Sequence, residues 1–344
     1  PSSSSAASDV YKRQFLDNRN NYIFIYNLYY PGKQLLNTEK LLIDLGGTNL
    51  RAGAGDTSSM TISDIQKIKV DTNEDIFDAL HDINSKSNYE EVVISAAGPV
   101  SENKISMTNR DLELNATDLE KELDIKKCHL LNDWESIGYS LPLMTKNDFK
   151  VIKNGNMDNS QTCLAIGPGT GLGFSVLRYV GNVPYVYPTE LGNARSYNDH
   201  LSNLFEIDNC ENFIVLEDYL SGTGIKKIYA KKSGQNLTTE EIVSRYLDDD
   251  LATFILNNFV IALNNILQDL ALTFNARGGI FFAGSLMRTI SEMNSINYIK
   301  EEFNKHSSKA HSNILKDISI NLINKEHTPL YGNLNYSVIR RLHE

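Results

Sequence analysis

The pattern of apolar and polar positions along the chain predicts alternating strands and helices from residue 41 onwards. Continuous apolar runs, typical of buried strands, occur at four places: 41–43, 91–99, 128–131 and 278–284. Apolar residues with helical spacing lie between them, at 75–84, 115–123 and 251–274. Strands that alternate with helices indicate an α/β fold, in which ligands bind at the carboxyl ends of the strands. We expect the long stretch 251–274 to be a core helix, and 294–318 to be solvated helix and loop.

Each half of this pattern begins with one glycine-rich strand–turn–strand segment. The first, 41–55, carries Asp44 into the turn Gly46-Gly47-Thr48, and the second, 162–177, contains a Gly-Pro-Gly-Thr-Gly turn. Glycines let main-chain amides come close to a ligand, and successive amides can form a concavity that suits an anion. The first turn lacks the lysine and the following helix of a GxxxxGK[ST] phosphate loop. The pair predicts a duplicated unit whose two turns hold one triphosphate, and two ordinary tight turns are the alternative.

Candidate catalytic and sugar-binding carboxylates can be found, but their spacing does not rank them. Asp133 follows a predicted strand and precedes a helix, where it could accept the proton of an attacking hydroxyl. Taken alone, an Asn-Asp pair at this place is more often a helix cap. Glu190 and Glu217 could be surface acids, or they could bind the hydroxyl groups of a polyol.

Composition narrows the class of protein. The chain has 344 residues, 41% hydrophobic and 22% charged, as is typical of soluble globular proteins. Its net charge of -10 argues against a nucleic acid or an anionic membrane as partner. No uninterrupted apolar run reaches the about 18 residues needed to span a bilayer. Three scattered cysteines indicate free thiols in a reducing compartment, so a cytoplasmic protein is predicted, and the seven histidines form no HExxH zinc motif.

The first 38 residues are interpreted as an adapter-derived and unassigned N-terminal extension. Residues 9–14, Asp-Val-Tyr-Lys-Arg-Gln, resemble the translation of a sequencing adapter, so residues 1–14 are excluded from fold prediction. Residues 15–38 are rich in Asn and Tyr and are left unassigned, with an extra strand, a disordered extension and read-through as the alternatives. The apolar run at 22–26 is too short and too polar-flanked for a signal peptide.

Eight segments between about residues 40 and 340 together resemble the bacterial-type glucokinase family, and they occur in the family's order. They read LLIDLGGTNLRAG, ISAAGPV with ISMTN, LLNDWESIGYSLP, AIGPGTGLG, PTELGN, VLEDYLSGTG, DLALTFNARGGIFFAG and TPLYG. The family belongs to the sugar kinase, Hsp70 and actin superfamily. The resemblance implies two ribonuclease-H-like (actin-like ATPase) α/β domains flanking a cleft where MgATP and a hexose meet. The implied domains are a smaller one, 39–143 plus 328–344, and a larger one, 144–327.

The resemblance also implies the reaction and its residues. ATP and D-glucose would give ADP and glucose 6-phosphate, the first step of glycolysis, with Asp133 as the base for the 6-hydroxyl group. The implied sugar-binding residues are Asn132, Asp133, Glu190, Asn193 and Glu217. The implied nucleotide-binding residues are Ile43, Asp44, Leu45, Gly46, Gly47, Thr48, Asn49, Gly167, Gly169, Thr170, Gly171, Gly284 and Ser285. Asp44 would reach Mg²⁺ through water, and Asn109 would support the site.

Two departures from the family pattern keep other functions open. The family usually has His where this chain has Asn193, and Phe or Tyr where it has Trp134. Asn is shorter than His and does not titrate, so a kinase for another hexose is the first alternative. A catalytically weak sugar sensor is the second, but it would be marked by a lost base or an added DNA-binding domain, whereas Asp133 is present and no helix-turn-helix pattern precedes residue 41. Glucose is the predicted small-molecule partner, and a homodimer is left open.

Overall fold

The computed structural model describes residues 39–108, 110–158, 160–180, 183–195, 197–208 and 210–340. The predictions for residues 1–38 and for Asn109 lie outside the described residues. The strands are β1 (Glu39–Leu45), β2 (Asn49–Asp56), β3 (Thr61–Lys69), β4 (Glu91–Ala96), β5 (Val100–Ser101), β6 (Lys104–Ser106), β7 (Glu113–Asn115), β8 (Lys127–Asn132), β9 (Phe149–Lys153), β10 (Cys163–Pro168), β11 (Leu172–Val180), β12 (Val183–Pro188), β13 (Gly279–Phe282) and β14 (Ile320–Ile323). The helices are α1 (Asn73–Ser87), α2 (Ala116–Glu122), α3 (Asp133–Ser140), α4 (Asn198–Leu204), α5 (Gly222–Ser233), α6 (Thr239–Ser244), α7 (Asp250–Thr273), α8 (Ser285–Ile290), α9 (Asn297–Glu302), α10 (Lys309–Asp317) and α11 (Thr328–Arg340).

The chain divides into two compact units. Unit 1 extends to Asn147 and resumes at Lys325, so that α11 belongs with the strands β1 to β8. Unit 2 runs from Asp148 to Asn324, except that the start of β12, through Pro184, groups with unit 1. The domain boundaries implied by the family resemblance, after 143 and 327, differ from these limits by a few residues and stay predictions.

Unit 1 is built on a five-stranded sheet in the order β3-β2-β1-β4-β8. The first three strands form an antiparallel meander, and β4 and β8 run parallel to β1. In the register, Leu45 pairs with Ala96 and Ala96 pairs with Asn132. The carboxyl ends of β1, β4 and β8 therefore lie at the same edge of the sheet, as the apolar runs predicted.

Unit 2 repeats this topology with different residues. Its sheet has the order β12-β11-β10-β13-β14-β9, in which β10 and β11 are antiparallel and β13 and β14 run parallel to β10. Only β9, which pairs antiparallel with β14 at the far edge, has no counterpart in the unit 1 sheet. The duplication predicted from the two glycine turns is confirmed at the level of strand order.

The core of unit 2 surrounds α7. Asp249 caps this helix by accepting a hydrogen bond from Ala252 N at 2.9 Å, and one face from Ile255 to Leu270 is buried. Among the described helices, α7 is long and apolar enough to cross a membrane by length and composition, and 61% of its most apolar window is buried inside the protein. The predicted role of α7 as a core helix is confirmed.

The prediction of a solvated segment at 294–318 is wrong for one of its faces. The structure forms α9 and α10 there, and Ile299, Phe303 and Leu315 are fully buried in the unit 2 core. Lysines and asparagines dominate the composition of the segment, but the few apolar residues lie on one side of each helix. Amphipathic helices of this kind bury a stripe while their overall composition stays polar.

Candidate active site

The first glycine turn joins β1 to β2 and is closed by main-chain hydrogen bonds. Gly46 N donates to Asn49 O at 2.9 Å, and Val70 N donates to Thr48 O at 3.1 Å. Because a trans peptide points its carbonyl and its N–H in opposite directions, the bond to Thr48 O leaves the Asn49 N–H pointing away from Val70. The Thr48 side chain is exposed and its hydroxyl accepts from Asn49 Nδ2 at 2.9 Å. The turn thus presents polar groups to an approaching ligand.

Asp44 lies just before this turn and forms an ion pair inside the hairpin. Its Oδ2 accepts from Arg51 Nη1 at 2.8 Å, and the two residues are directly opposite each other in the β1–β2 register. Asp44 is buried. Burial raises the pKa of Asp44, and the charges of Arg51 and His327 oppose the rise. Sequence analysis missed Arg51, although its position across the hairpin from Asp44 follows from the predicted strands.

Asp133 is the first residue of α3, immediately after β8. Asn132 caps the helix, since its Oδ1 accepts from Trp134 N at 2.9 Å and from Glu135 N at 3.3 Å, while its Nδ2 donates to Gly98 O at 3.0 Å. Trp134 N also donates to Asp133 Oδ1 at 2.9 Å. A carboxylate at a helix N-terminus is stabilised by the helix dipole. The cap considered for the Asn-Asp pair is confirmed for Asn132, and the adjacent Asp133 stays a predicted base.

The position of α3 is fixed by close packing against α11. Ser136 Oγ donates to Pro329 O at 2.6 Å and is 2.7 Å from Asn333 Oδ1. Asn333 Nδ2 in turn donates to Ile43 O at 2.7 Å and to Ser95 Oγ at 3.1 Å. A Cβ atom at Gly332 would lie 1.7 Å from Ser136 O, so only glycine allows this approach. These contacts connect the helix that carries Asp133 to the central strands of the sheet.

Within unit 1 the first turn and the candidate base share one edge of the sheet. β1 and β8 are separated by β4 alone, which places their carboxyl ends roughly 10 Å apart at the usual strand spacing. The side chains of Ile43 and Leu45 are fully buried in the unit 1 core. Their predicted part in nucleotide binding would have to be through the main chain.

The second glycine turn joins β10 to β11 and is supported by Glu217. Glu217 Oε2 accepts from Leu172 N at 3.1 Å, and a Cβ atom at Gly171 would lie 2.5 Å from the same oxygen. Gly169 N donates to Gly171 O at 2.8 Å, and Gly169 O accepts from Gly222 N at 2.7 Å. Neither glycine of this turn has a left-handed φ, so Gly171 is needed for the close approach of the carboxylate.

The predicted sugar-binding residues of unit 2 form one cluster. Glu190 precedes a single 3-10 turn (Leu191–Asn193), and Asn193 at the end of the turn donates through Nδ2 to Glu190 Oε2 at 3.3 Å. A Cβ atom at Gly192, inside that turn, would lie 2.9 Å from Glu217 Oε2. Burial raises the pKa of Glu190, the nearby Glu217 charge adds to the rise, and the bond from Asn193 opposes it. Glu217 therefore lies next to both the Leu191–Asn193 turn and the second glycine turn.

The remaining predicted nucleotide positions of unit 2 lie beside the second turn. Gly284 caps α8 with a φ of 100°, a left-handed value that favours glycine, and Ser285 begins the helix. A Cβ atom at Gly284 would be 3.7 Å from Pro168 O, and Ala283 N donates to Ile166 O at 3.2 Å. Gly167 is a buried strand residue and Thr170 is exposed in the turn.

Sequence analysis also missed two residues that the structure places next to this machinery. Glu135 follows Asp133 by two residues, and burial raises its pKa to about 7. Arg110 donates through Nη2 to Gly47 O in the first turn at 2.6 Å. Arg110 directly follows Asn109, so the sequence shows a cation next to that motif. The pattern does not indicate what the cation would bind.

Comparison with known proteins identifies the family. A family model described as Glucokinase matches residues 41–338. A glucokinase of Saccharophagus degradans is 25% identical over 313 residues, which is 85% of this chain and 96% of that protein. One of Helicobacter pylori is 27% identical over 273 residues, 72% of this chain and 81% of that protein.

Solved structures give the same fold. Glucokinase from Balamuthia mandrillaris in complex with glucose has a TM-score of 0.69 at 18% identity, covering 93% of this chain and 98% of that one. A ROK family glucokinase from Streptomyces griseus in complex with glucose and AMPPNP has a TM-score of 0.60 at 18% identity, covering 87% and 98%. The actin-like ATPase fold predicted for the chain is confirmed, and the chain belongs to the glucokinase family.

Proposed function

We propose that this protein transfers the γ-phosphoryl group of ATP to O6 of D-glucose, giving ADP and glucose 6-phosphate. The observation that carries the proposal is the placement of Asp133 at the start of α3, at the same sheet edge as the first glycine turn. Membership of the glucokinase family supports it. The two glycine turns and the base are all intact in this chain.

Asp133 is assigned the role of base. Its carboxylate takes the proton of the 6-hydroxyl group as that oxygen attacks the phosphoryl group, a contribution worth roughly 10²–10⁴-fold in rate. A helix N-terminus favours negative charge, which suits a carboxylate at the first position of α3. Hydrogen bonds from Ser136 to α11 hold the helix that carries this side chain.

The nucleotide is assigned to the two turns and to the start of α8. Amides and hydroxyls of Gly46–Asn49 and Gly169–Gly171 bind phosphate oxygens, and Gly284 and Ser285 cover the adenosine. Mg²⁺ usually keeps several waters and takes one or two carboxylates besides the phosphates, so the single carboxylate of Asp44 fits it. When bound, Mg²⁺ neutralises the phosphate charge, and Asp44 would hold it through water while Arg51 fixes the other carboxylate oxygen.

The sugar is assigned to Asn132, Glu190, Asn193 and Glu217. Carboxylate oxygens accept from sugar hydroxyls, and amides can both donate and accept. Asn193 is the specific basis for the runner-up function, a kinase for another hexose. Its Nδ2 donates to Glu190 Oε2, and its side chain is shorter than the usual His, so it would contact sugar hydroxyls differently.

An ADP-release assay with ATP across a panel of hexoses tests the proposal. Glucose should give the highest kcat/KM, and Asp133→Asn should lower kcat at least about 100-fold while glucose affinity stays within a few-fold. Asp118→Asn, which removes an exposed acid from the first turn of α2, is the matched control. Near-normal turnover by the Asp133 variant would overturn the mechanism, and preference for another hexose would favour the runner-up.

A cytoplasmic location is proposed from the cysteines. All three are free, and burial raises the pKa of the Cys128 and Cys163 thiols to about 12. Free buried thiols are usual in proteins of reducing compartments. Thiol state measured on protein from its native cell tests this point.

A further inference from the structure

Arg110 connects three main-chain segments behind the first glycine turn. Its Nη2 donates to Gly47 O and to Val70 O, both at 2.6 Å, and its Nη1 donates to Thr72 O at 2.8 Å. These acceptors are in the turn, just after β3 and at the cap of α1. A planar guanidinium group with several donors in fixed directions can reach three carbonyls at once, and an ammonium group cannot match that geometry.

The segment that carries Arg110 is itself anchored. The carbonyl oxygen of the next residue, Asp111, accepts from Asn73 Nδ2 at 2.9 Å at the start of α1. The guanidinium group is partly buried, and its Nε has no hydrogen-bond partner within the described residues. The hydrogen bonds described for this side chain therefore all go to main-chain carbonyls, and one of these carbonyls belongs to the turn.

The bond to Gly47 O acts on the peptide group that also contains Thr48 N. Gly47 O and Thr48 N belong to one peptide group and point in opposite directions. A charge-assisted hydrogen bond to the carbonyl holds that plane in one orientation and polarises the N–H on its other side, which makes it a stronger donor. Val70 N, whose own residue is also bound by Arg110, fixes the following carbonyl, Thr48 O, at 3.1 Å. Arg110 thus binds one peptide of the turn directly, and it also binds the residue whose N–H holds the next one.

We propose that Arg110 is a positioning residue for the nucleotide phosphates. It sets the Gly47–Thr48 peptide and supplies a fixed positive charge behind it, so that the turn binds phosphate oxygens more tightly. This inference rests on the proposed function, which places ATP phosphates at Gly46–Asn49. It assigns Arg110 no contact with the sugar, so its effect should separate the two substrates.

Steady-state kinetics of Arg110→Met and Arg110→Lys test the inference. Loss of one charge-assisted bond predicts a KM for ATP about tenfold higher in R110M, with the KM for glucose within about twofold of wild type. R110K keeps the charge but not the fork, and it should give a smaller rise in the KM for ATP. Lys67→Met, which removes an exposed cation from neighbouring β3, is the control and should leave both constants unchanged.

Other outcomes separate this inference from the proposed function. If wild type turns over glucose and R110M keeps a normal KM for ATP, or both KM values rise together with a fall in Tm, Arg110 is only a structural tether. If wild type shows no hexose-dependent turnover, the proposed function fails, and MgADP affinity of wild type, R110M and R110K decides the role of Arg110. Equal MgADP affinities, or no MgADP binding by wild type, would overturn it.

Discussion

Glu135 is a half-buried acid beside the proposed base, and its ionisation should make stability depend on pH. Burial raises its pKa from 4.5 to about 7, although a hydrogen bond from Asn132 N at 3.4 Å favours the charged form. Between these two values the unfolded chain loses the proton while the folded protein keeps it. The unfolded state then binds fewer protons, so the free energy of unfolding falls as pH rises from 4.5 to about 7 and levels off above that.

Thermal unfolding between pH 4.5 and pH 8 checks this dependence. Glu135→Gln keeps an acceptor for Asn132 N but cannot ionise, so Tm of this variant should fall less with pH and should exceed wild type near pH 8. Glu39→Gln, at an exposed position in β1, serves as control and should follow wild type. Parallel curves for wild type and Glu135→Gln would show that this carboxyl ionises freely.

Gly169 is a residue at which folding and ligand binding make different demands. A Cβ atom there meets nothing within 4 Å, and its φ is not left-handed, so Gly169→Ala should leave Tm within about 1 °C of wild type. If phosphate approaches the main chain at this point, the added methyl group obstructs it and the KM for ATP should rise roughly tenfold. Steady-state kinetics with each substrate varied in turn measures this.

Gly171→Ala provides the contrast for Gly169→Ala. Its Cβ atom would lie 2.5 Å from Glu217 Oε2, so this change should displace Glu217 and raise the KM for glucose as well. An unchanged KM for ATP in Gly169→Ala would argue that the second turn is an ordinary tight turn, which is the alternative that the sequence left open.

The pair of helices α3 and α11 shows how a remote element can control the site. A Cβ atom at Gly332 would overlap Ser136 O at 1.7 Å, and such overpacking costs about 1–3 kcal/mol or more. Gly332→Ala should therefore lower Tm and push α3 outwards. Because α3 carries Asp133, kcat should fall more than either KM rises.

Calorimetry and kinetics on Gly332→Ala measure both effects. Asp78→Ala, on the exposed face of α1 in the same unit, is the control and should change neither Tm by more than a few degrees nor kcat. Loss of stability with a normal kcat in the folded fraction would show that α3 keeps its place without the close contact.

At the scale of elements, apolar periodicity was sufficient to predict most of the fold. It predicted both hairpins, the parallel strands β4 and β8, and α7, because each has a continuous or strictly periodic apolar pattern. It failed to predict that one face of α9 and of α10 is buried, because polar residues outnumber apolar ones in this segment as a whole. Short amphipathic helices give too few positions for the pattern to stand out.

The candidate site was predictable only where side chains carry the information. The resemblance supplied Asp133, Glu190, Asn193 and Glu217, and the structure shows that the last three share a cluster. The contacts of Arg110 and of Glu217 with main-chain groups were not predictable. Every residue has the same carbonyl and amide, so a sequence does not indicate which of them a side chain will bind.

At the scale of the molecule, the two units use one topology for different tasks. In each unit, a glycine turn joins the first two strands, which are antiparallel. This turn lies at the sheet edge where the parallel strands have their carboxyl ends. Unit 1 adds the carboxylates Asp44 and Asp133 at that edge, whereas unit 2 adds Glu217 and the Glu190–Asn193 turn. The proposed function assigns residues of both sets to one reaction.

Trp134 can report this relation because it is the only tryptophan in the chain and belongs to unit 1. It is half-buried, and its main-chain N–H donates to the side chains of Asn132 and Asp133. Glucose should change its fluorescence.

Glu217→Gln, a change in unit 2, should weaken the apparent glucose affinity in this fluorescence titration roughly tenfold while the final signal stays the same, since a neutral amide accepts less strongly from hydroxyls. Glu240→Gln, an exposed acid at the start of α6, should leave the midpoint where it is in wild type. A protein that phosphorylates glucose with no change at Trp134, or a midpoint insensitive to Glu217, would mean that the two sets of residues do not serve one sugar.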